Sequence, residues 1–311
     1  MGFCLGIDTS NYTTSAAVVD LETKQYINSR RILEVKPGSV GLRQSDALFL
    51  HVKNLPEIVN DAFKDVDNID AVGVSDKPRS AEGSYMPCFL GGVAVASGIA
   101  SARKVPLYKF SHQAGHIAAA LFSSDRLDLL DKPFISFHVS GGTTEALLVK
   151  PDKTDFFDVK IIAGSLDLKM GQAVDRIGKM LNLNFPAGKE LDKLSLQGVL
   201  PEKPKPTIKG LDCSISGLEN KAMQLIDKGV SAPDVALFTI TYLSDTLSKM
   251  TEGIIKEYGD LPLVFAGGVM SNTIIRKQLT EKYGACFAST ELSSDNAVGT
   301  AVMTYLTKNS R

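Results

Sequence analysis

Two of the chain's four histidines, His112 and His116, are four residues apart and precede the apolar run from Ile117 to Phe122. The alanines of this run favour a helix, in which residues i and i+4 lie on one face. Two imidazoles placed in this way can bind one metal ion. The alternative is the start of a helix with two polar histidines and no metal, and the pair by itself leaves both interpretations open.

Three turns of small residues each follow an apolar strand and could bring backbone N–H groups close to phosphate. They contain Thr9-Ser10, Gly141-Gly142 and Gly267-Gly268. Adjacent glycines let the backbone approach an anion, and the third turn leads into a helix N-terminus near Asn272, which also favours negative charge. Each of the first two turns alone is explained by ordinary turn chemistry, but the three turns together favour a nucleotide site.

The elements that carry these residues alternate between strands and helices. Strands are predicted at 3–8, 14–19, 25–33, 69–74 and 105–110, and helices at 45–63 and 89–102. The order βββ-α-β-α-β is typical of an α/β half-molecule. Strands at 134–139 and 145–149 flank a small-residue turn and repeat the opening hairpin, so we predict a duplicated fold.

The second half is predicted to contain a large helical segment. Residues from about 165 to 258 have mostly helical patterns, a buried strand follows at 261–265, and a closing helix runs from Ala297 to Leu306. Asp295 lies just before that helix, where it could act as an N-cap. We therefore predict a first half at residues 1–110 and a second half at 111–311, with an insertion at 165–258 and the closing helix packed on the first half.

The composition describes an ordinary globular protein. Of 311 residues, 44% are hydrophobic and 22% are charged, and the net charge of −1 does not require a nucleic-acid partner. The four cysteines are scattered and are expected to be buried thiols in a reducing compartment. Neither a signal-peptide pattern nor an apolar run of membrane-spanning length is present, so we predict a cytoplasmic protein without a membrane partner.

Seven stretches along almost the whole chain resemble the TsaD family in order and spacing. They are Gly6 to Ser10, His112 to His116, Val139 to Gly142, Gly171 to Asp175, Ser214 to Leu218, Ala266 to Val269 with Asn272, and Ser294 to Asn296. That family contains the tRNA threonylcarbamoyladenosine synthase subunit, formerly labelled a glycoprotease. The resemblance implies the fold class α/β, with a duplicated actin/Hsp70/sugar-kinase-like ATPase fold and a helical insertion.

The resemblance also implies a site. His112, His116 and Asp295 would hold a divalent metal, either iron or zinc, with magnesium as an alternative, and would leave positions open for ligand oxygens. The predicted nucleotide or substrate site would bind ATP or an acyl-adenylate. Its residues are Thr9, Ser10, His138, Val139, Ser140, Gly141, Gly142, Asp175, Gly188, Gly267, Gly268 and Asn272. We assign no catalytic residue from the sequence.

The chain departs from the family pattern at four places. After the residue matching Ser10 the family usually has Cys-Asp-Glu-Thr, whereas here residues 11–14 are Asn-Tyr-Thr-Thr, without an acid. Ala114 stands for a glutamate between the histidines, Lys77 to Ser80 replace a Gly-Pro-Gly-Leu loop, and Ala187 replaces a glycine. The metal ligands therefore match better than the reaction centre, which indicates a diverged member.

The favoured hypothesis is a transferase that moves a threonylcarbamoyl group from threonylcarbamoyl-adenylate to a tRNA adenosine. The resemblance implies tRNA, a small paralogue and an ATPase as partners. The alternative is a non-catalytic or altered-acceptor paralogue that binds nucleotide and metal; tested alone, the chain would then transfer slowly or not at all. A metalloprotease is less favoured because Gln113 occupies the place of the zincin glutamate, and a small-molecule kinase comes last.

Overall fold

The computed structural model of the chain describes residues 2–10, 12–34, 42–153, 156–294 and 296–309. They form two compact units. The first comprises Met1–Leu127, Pro151–Asp158 and Glu291–Arg311, and the second comprises Asp128–Lys150 and Val159–Thr290. By this division the segment around His112 lies in the first unit, whereas the sequence placed it in the second half.

The strands of the described residues are numbered in chain order. They are β1 (Phe3–Asp8), β2 (Thr13–Asp20), β3 (Gln25–Ile32), β4 (Ile69–Lys77), β5 (Leu107–Ser111), β6 (Phe134–Val139), β7 (Thr144–Asp152), β8 (Phe156–Gly164), β9 (Thr207–Lys209), β10 (Asp212–Ser214), β11 (Leu263–Ala266) and β12 (Cys286–Phe287).

The α-helices of the same residues follow the same convention. They are α1 (Gln44–Ala62), α2 (Phe89–Arg103), α3 (His112–Ser123), α4 (Met170–Met180), α5 (Gly188–Ser195), α6 (Ser216–Asp227), α7 (Ala232–Tyr258), α8 (Thr273–Tyr283) and α9 (Val298–Asn309). None of them is long and apolar enough to cross a membrane.

The first unit is a five-stranded sheet with helices on both faces. Its strand order is β3-β2-β1-β4-β5, with β1 antiparallel to β2 and parallel to β4. Leu5, Ile7 and Val18 pack with residues of α1 and α2 in one apolar cluster, while Ala17 and Val19 pack with α3 and α9 in another. Because both faces are covered, β2 is buried along its whole length and lacks an alternating polar face.

The second unit repeats this topology. Its sheet order is β12-β11-β6-β7-β8, with β6 antiparallel to β7 and parallel to β11. Read from the other edge, the order β8-β7-β6-β11-β12 corresponds strand by strand to β3-β2-β1-β4-β5. The predicted duplication is therefore confirmed, and α4 to α7 with the β9–β10 hairpin form the helical insertion between β8 and β11.

The sequence missed β8, the β9–β10 hairpin and β12. β8 lies at a sheet edge and has an irregular burial pattern, so its residues show no clean period of two. β12 contains two residues and owes its assignment to parallel backbone pairing with β11. The cysteine prediction holds for Cys4, Cys88 and Cys213, which are buried, whereas Cys286 is partly exposed.

Candidate functional site

The carboxylate of Asp8 is the charged group at the end of β1. It is 1% exposed, and its Oδ1 accepts a hydrogen bond of 2.9 Å from the backbone N–H of Ser10. Its Oδ2 lies 2.8 Å from Nδ1 of His112. Burial acts to raise the pKa of Asp8, but the charge of His112 and hydrogen bonds from His112, Ser10 and Ser75 hold that pKa well below its usual range. Asp8 is therefore a fixed, ionised acceptor.

The two predicted histidines face one another at the start of α3. Ser111 caps this helix by accepting a 3.2 Å hydrogen bond from the N–H of Ala114, which places His112 in the first turn. The Nε2 atoms of His112 and His116 are 3.0 Å apart. Since Nδ1 of His112 is turned to Asp8, the Nε2 atom is the ring nitrogen that faces His116.

This pair fits one part of a metal site. Two nitrogens bound to one tetrahedral zinc ion are about 3.3 Å apart, close to the separation observed here. Asp8 contacts the opposite nitrogen of His112, so it anchors the ring and leaves Nε2 for a metal. Within the described ranges, no group of three or more His, Cys, Asp or Glu is arranged to hold an ion. Asp295, the third predicted ligand, lies outside those ranges.

Close packing of α9 on α3 places the chain that follows residue 295 beside the histidines. A Cβ added to Gly299 would lie 1.8 Å from the carbonyl oxygen of Gly115, and one added to Gly115 would lie 3.2 Å from Oγ1 of Thr300. Glycine is required at Gly299 because the two helices approach backbone to backbone. Asn296 lies just before α9, and its Oδ1 accepts a 3.0 Å hydrogen bond from the backbone N–H of Val298, the first residue of that helix.

The first predicted phosphate turn has two different hydroxyls. Oγ1 of Thr9 donates to the carbonyl of Cys88 at 3.0 Å and accepts from the N–H of Gly92 at 3.3 Å, so it holds the turn against α2. Ser10 is 2% exposed, and its Oγ has no hydrogen-bond partner among the described residues. The Thr9 hydroxyl therefore stabilises the packing of the turn on α2, whereas the Ser10 hydroxyl keeps hydrogen-bonding capacity that the described residues do not use.

Residues in or next to the stretches that depart from the family pattern make structural contacts. Oγ1 of Thr14 lies 2.8 Å from Nδ1 of His51 inside the first unit, so His51 is a core residue. The carbonyl of Pro78 accepts a 3.0 Å hydrogen bond from the N–H of Gln113, and Oγ of Ser80 donates to Oγ of Ser111 at 3.2 Å. The Lys77 to Ser80 stretch therefore lies against the start of α3. Asn11 falls outside the described residues.

The second predicted turn joins β6 to β7. Oγ of Ser140 accepts from the N–H groups of Gly142 and Thr143 at 3.3 and 3.1 Å. Among the described residues, no atom outside the chain neighbours of each glycine lies within 4 Å of the position that a Cβ would take at Gly141 or Gly142, so the space in front of both is open. The N–H of Gly171 in α4 donates to the Ser140 carbonyl at 3.1 Å, which fixes the helix against the turn.

The third predicted turn lies at the same edge of the second sheet. Gly267 has φ of +107°, and a Cβ there would lie 2.2 Å from the Val139 carbonyl oxygen, so this position requires glycine. β6 and β11 are parallel neighbours, so Gly141-Gly142 and Gly267-Gly268 both follow carboxyl ends of strands. His138 is paired with Ala266 in this ladder. The structure therefore brings the predicted residues from His138 to Gly142 together with Gly267 and Gly268.

The other predicted nucleotide residues belong to the second unit: Asp175 lies in the middle of α4, and Gly188 and Asn272 lie at the starts of α5 and α8. Oδ1 of Asp175 accepts a 2.9 Å hydrogen bond from the N–H of Ala187, just before Gly188 opens α5. Asn272 caps α8 through the N–H groups of two following residues at 3.1 Å, and its Nδ2 donates to Oδ1 of Asp192 at 2.8 Å. Asp192 thus joins α5 to the start of α8.

Asp167 is a hydrogen-bond acceptor of the second unit that the sequence did not single out. It accepts hydrogen bonds from the hydroxyls of Ser214 and Ser216 and, at 2.7 Å, from the N–H of Ile215. Burial acts to raise the pKa of Asp167, but hydrogen bonds from Ser214, Ser216, Ile215 and Leu168 hold it well below its usual range. The matching stretch Ser214 to Leu218 therefore forms an anchored start of α6.

Asp8 and Asp192 also went unassigned in the sequence. The spacing from Asp8 to Ser10 is that of an Asx turn and could have been recognised. Its contact with His112 could not, because 104 residues separate the two side chains. The same holds for Asp192 and Asn272, which are 80 residues apart.

Comparison with known proteins gives a family and a fold. A family model for TsaD, described as tRNA N6-adenosine threonylcarbamoyltransferase, matches residues 27–302. A protein of that name from Persephonella marina (strain DSM 14350 / EX-H1) is 30% identical over 320 residues, which cover 97% of this chain and 89% of the relative.

Solved structures with little sequence identity share the fold. Full-length HypF in its phosphate- and nucleotide-bound form has a TM-score of 0.61 at 13% identity, covering 99% of this chain and 55% of that one. A ROK family glucokinase from Streptomyces griseus, in complex with glucose and AMPPNP, has a TM-score of 0.52 at 13% identity, covering 98% of this chain and all of that one. The predicted actin/Hsp70/sugar-kinase-like fold is thereby confirmed.

Proposed function

This chain belongs to the TsaD family of tRNA N6-adenosine threonylcarbamoyltransferases, and on that premise we propose that it transfers a threonylcarbamoyl group from threonylcarbamoyl-adenylate to an adenosine of tRNA. The chain is accordingly a transferase. The observation that carries the proposal for the site is the 3.0 Å approach of the two Nε2 atoms at the start of α3.

A divalent metal would be held by His112 and His116, with Asp295 as a further ligand. When bound there, an iron or zinc ion would supply a Lewis acid that polarises an acyl oxygen and neutralises developing charge. The residues themselves do the positioning: Ser111 caps the helix, Asp8 holds the ring of His112, and Gly115 lets α9 approach α3.

The adenine nucleotide or acyl-adenylate would bind in the second unit at the turns that follow β6 and β11. Gly141 and Gly142 have open space where side chains would otherwise stand, so phosphate can approach the backbone. Asp175 in α4 and Asn272 at the start of α8 belong to the same unit, although both already make hydrogen bonds within the protein. We therefore assign the phosphate contacts to the glycine turns first.

The alternative of a non-catalytic paralogue is not favoured by the comparisons, because the matching relatives are named as transferases. The two family carboxylates that this chain lacks are nevertheless expected to affect the rate of threonylcarbamoyl transfer. A positioned general base contributes about a hundred- to ten-thousandfold, and Tyr12 and Thr13 stand where the family has carboxylates. A partner protein, such as the small paralogue or ATPase that the resemblance implies, could supply the missing group.

The function is tested by single-turnover transfer from preformed threonylcarbamoyl-adenylate to unmodified tRNA, with and without the two partner proteins. Mass spectrometry of the digested tRNA should show threonylcarbamoyladenosine with the wild-type chain. The His112→Ala, His116→Ala double variant should form it at least a hundredfold more slowly. Absence of product when all partners are present would contradict the tRNA acceptor, and equal rates would contradict a role for the histidines.

A further inference from the structure

Asp8 contacts His112 on the side of its ring that faces away from His116. We propose that Asp8 is a positioning residue, which holds the ring of His112 through Nδ1 and so directs its Nε2 toward that of His116. This inference rests on the proposed function, in which those two nitrogens hold the metal.

Burial and distance both pair the Asp8 carboxylate with His112. Its side chain is 1% exposed, the side chain of His112 is 20% exposed, and the Oδ2 to Nδ1 distance is 2.8 Å. A buried carboxylate must be paired and hydrogen-bonded, and in its ionised form it only accepts. Nδ1–H of His112 therefore donates to Asp8, and Nε2 is the ring nitrogen left to face His116.

The carboxylate is held in place from three sides. The N–H of Ser10 donates to its other oxygen at 2.9 Å, and Ser75 of β4 contributes a further hydrogen bond. Oγ of Ser75 also lies 3.2 Å from Oγ1 of Thr300 in α9. The orientation of His112 is thus tied to β1, β4 and α9, which are the elements that define the first unit.

A carboxylate behind a metal-binding histidine fixes the tautomer and raises the basicity of the ligand nitrogen. Removal of such a partner typically lowers metal affinity about ten- to a hundredfold. We expect the same loss for Asp8→Asn, which keeps the size of the side chain but removes its charge. Asp8→Ala should lose at least as much.

The chain contains a matched control. Asp20 is also 1% exposed and also ends a strand, and its Oδ1 accepts from the backbone N–H groups of Glu22 and Thr23 at 3.0 and 3.4 Å. It therefore holds a turn as Asp8 does, but through backbone donors. Asp20→Asn should leave zinc affinity within threefold of wild type while costing a similar amount of stability.

Zinc affinity is measured on the full-length chain by competition with a chromophoric chelator. A ten- to hundredfold loss in Asp8→Asn, without a comparable loss in Asp20→Asn, is the expected result. Equal affinity in wild type and Asp8→Asn would overturn the inference. Equal losses in the two variants would also overturn it, because the effect would then be general destabilisation.

The protonation of the His112 ring nitrogens is read on wild-type protein without metal. Long-range ¹H–¹⁵N correlation spectra of ¹⁵N-histidine-labelled wild type contain signals from four histidines, and His112→Ala identifies the relevant one. We expect Nδ1 of His112 to carry a proton; a neutral ring protonated on Nε2 alone would refute the positioning role. If wild type binds no zinc, the metal part of the proposed function fails, while this spectrum still decides the role of Asp8.

Discussion

Substitution of Gly299 by Ala tests the packing that places α9 against α3. The added Cβ would lie 1.8 Å from the Gly115 carbonyl oxygen and 2.8 Å from the amide nitrogen of Ala119. A Cβ and an oxygen in ordinary contact are at least about 3.4 Å apart, so the helices must separate locally by about 1.6 Å. Backbone atoms on the other side cannot rotate away, unlike the end of a flexible side chain.

The magnitude follows from two opposing effects. Overpacking typically costs about 1–3 kcal/mol, and a separation of this size puts the substitution near the upper end. Gly→Ala in a helix gains up to about 1 kcal/mol, which offsets part of that cost. We expect a net loss of about 2 kcal/mol, equivalent to a lowering of Tm by about 4–8 °C for a unit of this size.

Gly98→Ala in α2 provides the control for this measurement. Gly98 lies inside the helix, and no atom lies within 4 Å of its added Cβ, so only helix propensity should act. This variant should gain about 0.5–1 kcal/mol. Thermal and urea unfolding of both variants, followed by circular dichroism, gives the comparison.

The opposite signs of the two substitutions are the decisive result. Wild-type or higher stability of Gly299→Ala would refute the close backbone packing of α3 on α9. It would also remove our reason for placing the chain after residue 295 beside the histidines.

Three further predictions concern the two units. His112→Ala should sharply reduce bound metal by elemental analysis, and full occupancy in the His112→Ala, His116→Ala double variant would exclude the pair as ligands. Gly142→Val has open space for its side chain, so the variant should fold. It should bind ATP at least tenfold more weakly, about 1.4 kcal/mol by calorimetry, whereas Gly98→Ala should bind ATP as wild type does. Unchanged affinity of Gly142→Val would exclude this turn as the phosphate site. Asp167→Asn should destabilise the protein by about 1 kcal/mol at pH 7, as loss of a helix cap does. The pKa of Asp167 in the folded protein lies below its unfolded value of about 4. The stability difference between wild type and Asp167→Asn should therefore persist above pH 4 and shrink as the pH falls below 4. A difference in urea midpoints that does not change with pH would contradict the role of the ionised Asp167 carboxylate.

Local patterns in the sequence were sufficient for the main elements. The alternation of strands and helices predicted the first unit, because apolar runs and helical spacing are properties of neighbouring residues. The repeated strand, turn and strand at 134–149 predicted the duplication, which the order of the second sheet confirms. The i, i+4 spacing of His112 and His116 likewise predicted that the two rings share a face, and their Nε2 atoms are 3.0 Å apart.

Only the tertiary structure determines which residues and helices contact the two histidines and the helix that carries them. Asp8 meets His112 across 104 residues of sequence, and α3 and α9 approach through Gly115 and Gly299. No local pattern encodes such contacts, because they depend on sheet order and on which helices cover each face. The edge strand β8 and the two-residue strand β12 were missed for a related reason: backbone hydrogen bonds to neighbouring strands, and not side-chain periodicity, define them.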